Sequence, residues 1–303
     1  MITAAEAEAA GAAAVRTAAR AGVRIQELSE LAELESMTRL FDTIWAPSPG
    51  STSQLRPDLM RALTKAGNYA SGAYDVATGE LIGACMGFFG PPAEASLHSH
   101  VAGVLPAGLG RAVGLALKVH QRAWCLSQGV TAIHWTFDPL IRRNAYFNLV
   151  KLGARPAEYL RNFYGEMNDS INGATETDRV LIHWDLRSDL AVAACDGHIA
   201  PASGAVERDR GAMVALDMGP RGEPVVPGPS GTRAQGPGGA AGDLALVRVP
   251  ADIEEMRRSA PALAAAWRGA LRVALAPLMD NGARVSGFDR DGWYVVSTGS
   301  AER

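Results

Sequence analysis

The stretch Ser96–Lys118, SLHSHVAGVLPAGLGRAVGLALK, limits what this chain can fold into more than any other. It opens as an apolar strand that must stop at Pro106, which has no N–H to give to a ladder. A glycine-bearing turn follows, and a helix opens near Gly110 with Val113, Leu117 and Trp124 at helical spacing. A strand feeding such a turn leaves the first N–H groups of the helix without partners, with the positive end of the helix dipole behind them. That end suits an anion, phosphate above all. Gly110 and Gly114 carry no Cβ, so a large phosphorylated ligand can lie against the backbone there. The same spacing serves a plain strand-turn-helix equally well and does not by itself choose between the two.

The 303 residues can bury one large core or two modest ones. With 48% hydrophobic and 20% charged residues the composition is that of a globule, and a net charge of -3 gives no reason to expect nucleic acid or an anionic membrane as partner. Cys85, Cys125 and Cys195 share no C-x-x-C spacing, which argues against a disulfide framework or zinc knuckle and fits a reducing compartment. No metal is expected, since His98 and His100 have no third and fourth ligand nearby at a recognisable spacing. The alanine-rich residues 1–22 lack the basic start and the Leu, Ile or Val run of a signal peptide and read as a surface helix. No apolar run approaches the length of a bilayer span, so the expected location is cytoplasmic.

From 23 to 190, strands and helices follow one another. Val23–Glu27 reads as a strand, and Ser29 caps a helix to Trp45 whose Leu34, Met37, Phe41 and Ile44 form a buried face. The loop 46–54 is all turn chemistry, and Pro57 and Gly67 bracket a second helix. Tyr69–Asp75 and Leu81–Gly90 make a hairpin about Ala77, Thr78 and Gly79. Beyond the central stretch, the helix ends near Gln128 with Gly129 as its cap, and Ala132–Phe137 is a buried strand closed by Asp138 and Pro139. A helix begins near Arg143, and Ala157–Tyr164 pairs with Arg179–Leu186 around a long polar loop, 165–178. His120 shares a helix face with Val113 and Leu117 and reads as an interior histidine; His183 belongs to a strand.

The run Leu109, Gly110, Arg111, Ala112, Val113, Gly114 resembles the Q/R-x-x-G-x-G/A turn of the GNAT superfamily of acyl-CoA-dependent N-acyltransferases. Leu109 stands where Gln or Arg is usual, and Ala112 replaces the first glycine. Residues 143–149 with 151–154 resemble the family's N..A..LY...GF helix. The resemblance covers about Val23 to Leu186 and is nearest to a branch with strings like HSHVAGVLP, WTFDPL and RNAYFNL. It implies an α/β (α+β) fold: a central mixed, mostly antiparallel, splayed sheet flanked by helices. It also implies transfer of an acetyl or other short acyl group, such as succinyl, from acyl-CoA to the amine of a small molecule, an amino acid or an amino-bearing metabolite.

The same resemblance assigns roles. Gly103, Val104 and Leu105 offer backbone amides to the pantetheine arm, and an N–H near Val104 polarises the thioester carbonyl. Leu109, Gly110, Arg111, Ala112, Val113 and Gly114 take the diphosphate, and Asn144 and Arg143 touch pantetheine or phosphate, or else are solvated surface. His98 and His100, on one face of a strand, or Asp138 receives the proton of the acceptor amine. The plainer alternatives are a hydrogen-bonded pocket wall for the histidines and a loop cap for Asp138. The family's tyrosine acid would fall at Leu149, which holds none; Tyr146, one turn away, returns a proton to the thiolate or simply packs. Loops 46–54 and 165–178 are expected to line the acceptor pocket. Two rivals stand beside this reading: an acyl-CoA-binding regulatory module, and another acyl-CoA reaction, decarboxylation or thioester hydrolysis, on the same scaffold.

Residues 196–242 are rich in Gly, Pro, Ala and Ser without either period and read as a linker. Residues 243–303 then form a small βαββ subdomain. Its strand is Leu244–Val249, its helix carries Leu263, Trp267, Leu271 and Leu275 at helical spacing, and two strands follow at Val285–Phe288 and Trp293–Val296. Some sixty residues are too few to promise independent stability, so this part is expected to dock on the acyltransferase domain or to pair subunits of a homodimer.

Overall fold

A computed structural model of the chain describes residues 2–45, 55–165, 176–198, 201–227 and 243–299. In chain order the elements are α1 (Ala4–Ala21), β1 (Val23–Glu27), α2 (Leu31–Trp45), α3 (Pro57–Lys65), β2 (Tyr69–Asp75), β3 (Leu81–Phe89), β4 (Ser96–Val104), α4 (Val113–Ser127) and β5 (Ala132–Phe137). There follow α5 (Arg142–Tyr146) with a π-helical turn at Phe147–Lys151, β6 (Arg155–Leu160), β7 (Arg179–Asp185), α6 (Asp189–Cys195), α7 (Gly204–Asp209), β8 (Met213–Met218) and β9 (Pro224–Val225). The last are β10 (Leu244–Arg248), α8 (Ile253–Ser259), α9 (Pro261–Asp280), β11 (Arg284–Phe288) and β12 (Trp293–Ser297). One sheet has the strand order β1-β2-β3-β4-β5-β7-β6, the other β11-β12-β10-β8-β9. The protein is α/β with mixed sheets, and its described residues fall into two units: those of 1–135 and 184–196, and those of 136–183 and 197–299.

In the first unit, β1 through β4 pair antiparallel in sequence order, and β4 pairs parallel with β5. Thr3 and Glu6 close a capping box at the start of α1, and Gly22 ends it in the left-handed conformation at φ 65°. Ala10, Ala13, Ala14 and Ala21 are buried where α1 packs on α4, so the alanine-rich start is more than a surface helix. Side chains this small let two helix backbones approach closely. The cap expected from Ser29 is replaced by Glu33, whose carboxylate accepts the N–H groups of Ser29 and Glu30 at 3.0 Å each, so α2 starts only at Leu31. A core forms from Leu34, Met37, Phe41, Met60 and Met86. The loop 46–54 lies outside the described residues.

The second unit corrects two expectations. The stretch read as linker from 196 carries α7, β8 and β9, and β8 pairs parallel with β10. Its small residues serve close packing: a Cβ on Gly204 would lie 2.4 Å from the Trp293 ring, and Ala212 packs with Leu246 and Trp293. The tail sheet therefore has five strands, not the three of a βαββ unit; residues 228–242 lie outside the described ones. The strand expected over Ala157–Tyr164 is β6, Arg155–Leu160, because Asn162 takes φ 44° and turns the chain, and Phe163 N–H donates to the Thr177 carbonyl at 3.0 Å. Among the described residues α9 alone is long and apolar enough, by length and composition, to cross a membrane, unlike the expectation from the sequence. One face of it is nevertheless core: Trp267, Arg268, Leu271 and Leu275 are buried within the unit.

Candidate functional site

In the first unit β4 and β5 pair only at Ser96–Ala132, Leu97–Ile133 and His98–His134. From Ser99 to Val104 β4 keeps β3 on one side and has no pairing with β5 on the other. Which backbone groups face that open edge follows from the ladder. Leu105 N–H donates to the Ile82 carbonyl at 2.8 Å, and in an antiparallel pair bonded positions alternate, so the N–H groups of Ala102 and Val104 point away from β3. Between Met86 and Gly87 the register shifts, leaving His100 as the extra residue of a β-bulge.

The chain then turns through Gly110 at φ 77° and Ala112 at φ 62°, and α4 begins at Val113, three residues later than expected. Ala112 makes no side-chain cap bond, and the first intrahelical N–H to find its acceptor is that of Ala116, on the Ala112 carbonyl at 3.0 Å. The N–H groups of Val113, Gly114 and Leu115 thus head the helix with no acceptor inside it. A Cβ on Gly110 would meet nothing within 4 Å, and one on Gly114 only Val104 at 3.8 Å, so the ground before these amides is clear.

Other residues of this stretch have structural duties. Gly103 is buried because α2 lies on it; a Cβ would come within 2.7 Å of Ile44 and 2.9 Å of Trp45. Arg111 is turned from the helix start, donating to the Asp75 carboxylate at 2.5 Å and to the carbonyls of Ala21 and Gly22 at 3.3 Å. The Val113 side chain is core at 1% exposure, whereas Leu109 is exposed. What the turn offers a ligand is backbone.

His98 is half-buried and His100 exposed, their rings 6.1 Å apart and both against Phe88. Burial, then His100, His134 and Lys118, push the His98 imidazole down to about 4, and burial lowers that of His100 as well. Both rings are neutral at neutral pH, and His100 is the one open to solvent. His120 is bonded through Nδ1 to the Tyr69 hydroxyl at 2.9 Å, as an interior histidine should be.

Asp138, Asn144 and Tyr146 belong to the second unit. Asp138 accepts two bonds from Arg268, at 2.8 and 2.6 Å, one from Arg257 at 2.5 Å, and one from the N–H of Leu140 at 3.0 Å. Burial by itself would raise its pKa, but Arg268 and Arg257 outweigh that and hold the carboxyl well below the usual range. A carboxylate so held is an anchor and loop cap and a very weak base. The Tyr146 hydroxyl accepts from Arg290 Nε at 3.2 Å, and the Arg290 guanidinium lies 5.6 Å from the Tyr146 ring centroid. Arg143 is paired with Glu254, and Asn144 is half-buried on α5. Among the described residues no group of three His, Cys, Asp or Glu could hold a metal ion.

Sequence reasoning passed over Lys118. It is 4% exposed on the inner face of α4, bonded to Ser99 Oγ at 2.9 Å and Gln121 Oε1 at 2.6 Å. The signal was a lysine between Leu117 and Val119 on an otherwise buried helix face.

No family model and no curated protein matches this chain. Several solved structures are similar to just over half of it. The ribosomal-protein-S18-alanine N-acetyltransferase of Escherichia coli is 12% identical over 55% of this chain and 95% of its own, with a TM-score of 0.43. An N-acetyltransferase of Staphylococcus aureus is 14% identical over 55% and 99%, with a TM-score of 0.45. A GNAT superfamily phosphinothricin acetyltransferase of Sinorhizobium meliloti, in complex with AcCoA, is 15% identical over 54% and 87%, with a TM-score of 0.43. At those values the likeness says nothing of activity or ligand.

Proposed function

We propose that this chain is an acyl-CoA-dependent N-acyltransferase that acts on the amine of a small molecule. The observation that carries the reading is one continuous series of backbone donors: Ala102 and Val104 on the open edge of β4, then Val113, Gly114 and Leu115 at the head of α4. A free strand edge takes an extended arm with amides in it, and a free helix start takes a phosphorylated tail. Joined end to end, they suit a ligand that has both, as an acyl-CoA has. From Val104 back to His100 the strand runs about 13 Å at roughly 3.3 Å per residue, which sets the thioester near the bulge.

The thioester supplies an activated acyl carbon and a good leaving thiolate. The edge N–H groups hold the arm and polarise the carbonyl. His100, neutral and open to solvent, takes the proton of the acceptor ammonium directly or through a water. The amine nitrogen bonds to the acyl carbon as the carbon–sulfur bond breaks, and the second proton that the nitrogen sheds passes through water to the thiolate. Holding both molecules in line accounts for much of the acceleration, so modest base chemistry suffices. Release of free CoA thiol, measured with and without a panel of amines, tests this reading. Release that needs an amine supports it; release without amine makes the protein a thioesterase, loss of CO2 with the thioester intact makes it a decarboxylase, and binding with neither makes it a regulatory module.

A further inference from the structure

Where β4 and β5 part, buried hydrogen-bond donors outnumber acceptors. The last bonded pair is His98 with His134, so the first residues past it are Ser99 and Trp135. Lys118 of α4 touches both: its Nζ donates to Ser99 Oγ at 2.9 Å and lies 4.1 Å from the Trp135 ring centroid. The Trp184 ring centroid is 5.8 Å from the same nitrogen, and Gln121 Oε1 accepts from it at 2.6 Å. The ammonium therefore lies behind the gap, facing it from α4.

Its surroundings hold no counter-charge. Among the described residues no carboxylate forms an ion pair with Lys118. Its titratable neighbours are the thiols of Cys85 on β3 and Cys125 on α4, both kept neutral by burial, and the neutral His98 on β4. Burial pushes Lys118 down to about 8, which leaves it mostly charged at neutral pH. Among the described residues, the buried side-chain N and O atoms without a hydrogen-bond partner are Gln121 Nε2, Trp184 Nε1 and Arg248 Nε. Two of these three donors sit on the residues that surround Lys118, and what the Gln121 amide faces is the Cys85 thiol, a weak acceptor. A buried N–H without an acceptor is costly, and a buried charge without a counter-charge more so. A water answers the two N–H groups; the Trp135 and Trp184 rings answer the charge in part, and an anion answers it in full.

We infer that Lys118, with the Gln121 amide and the Trp184 indole N–H, binds a carboxylate at the far end of the acyl group, so that the acyl donor is the CoA thioester of a dicarboxylic acid, malonyl or succinyl in kind. The inference rests on the acyltransferase reading, which brings the thioester to His100, one residue from Ser99. An acyl chain directed through the gap between Ser99 and Trp135 then ends at the ammonium.

Malonyl-CoA and isovaleryl-CoA test this, since they have the same shape and differ by a methyl for each carboxylate oxygen. Titration calorimetry at pH 7 should give at least a tenfold tighter malonyl-CoA complex for the unaltered protein, and a ratio near one for Lys118→Met. Lys118→Arg should keep part of the preference. Trp184→Phe, which keeps one aromatic ring and removes the pyrrole ring with its N–H, should narrow the ratio several-fold and serves if Lys118→Met does not fold. A ratio of one in the unaltered protein, or an unchanged ratio in Lys118→Met or Trp184→Phe, overturns the inference and leaves water as the partner of these donors. Unacylated CoA separates the two levels: if CoA binds and the ratio is one, this inference alone falls, and if CoA does not bind, the acyltransferase reading falls with it.

Discussion

Arg268 of α9 donates two parallel hydrogen bonds to Asp138, at 2.8 and 2.6 Å, and neither side chain is more than 7% exposed. Arg257 donates to the same carboxylate at 2.5 Å and Arg179 lies 4.0 Å from it, so one anion gathers three guanidinium groups in the second unit. Removing one partner of a buried pair leaves the others as uncompensated charges. Asp138→Asn, nearly equal in shape, should therefore lower stability to denaturant by about 3–5 kcal/mol. A loss below about 1 kcal/mol would mean that the arginines are held by something else.

The two glycines flanking the turn should behave in opposite ways. At Gly103 a methyl meets Ile44 and Trp45 at 2.7 and 2.9 Å, so Gly103→Ala should overpack the core and cost about 1–3 kcal/mol. At Gly114 it meets only Val104 at 3.8 Å, so Gly114→Ala should fold as well or better by up to ~1 kcal/mol, alanine being the better helix former. Gly114→Asp sets a carboxylate before the amides of α4 and should weaken acyl-CoA binding at least tenfold while the melting temperature stays put. Equal affinity in Gly114→Asp would remove the helix start from the site.

Exposure ranks the two histidines. His100→Ala should lower kcat with an amine acceptor by about 10²-fold, the low end for a lost general base, with little change in the affinity for acyl-CoA. His98→Phe should change kcat much less, because an imidazole pushed down to about 4 is a feeble base. With the His100 imidazole below its ordinary value, the fall of kcat/KM on acidification should lie below pH 6.5 and vanish in His100→Ala. A profile unchanged by that substitution would reject the proton route.

Stability should depend on pH through His98. Its imidazole binds a proton near pH 6.5 in the unfolded chain but only near about 4 when folded. Between those values the unfolded chain holds more protons, so stability rises with pH across that window and is lost as pH falls through it. Melting temperatures from pH 4 to 7 should show this slope, and His98→Phe should flatten it. An unchanged slope in the variant would assign it to His100 and His120, which burial also lowers.

The elements whose cause is local were readable in advance. β1, β2 and β5 stand where apolar runs placed them, and α9 stands where Leu263, Trp267, Leu271 and Leu275 recur at helical spacing. The glycine-bearing turn before α4 was readable for the same reason, since a left-handed backbone needs residues that tolerate it. The small residues from 204 to 216 misled, because a glycine needed for close packing on Trp293 looks, in a sequence, like a glycine of a loose linker.

Sequence by itself determined the local vocabulary of this protein: which runs pair as strands, which coil, and where a helix start is left open to an anion. Only the tertiary structure decided that β4 leaves β5 after His98, that His100 is the bulged residue, and that Lys118 lies buried behind the gap. It alone decided that Asp138 meets an arginine 130 residues away. Periodicity and capping arise from neighbours within a few residues, while strand separation, burial of a charge and the choice of its partners are set by contacts that exist only once distant parts of the chain have packed.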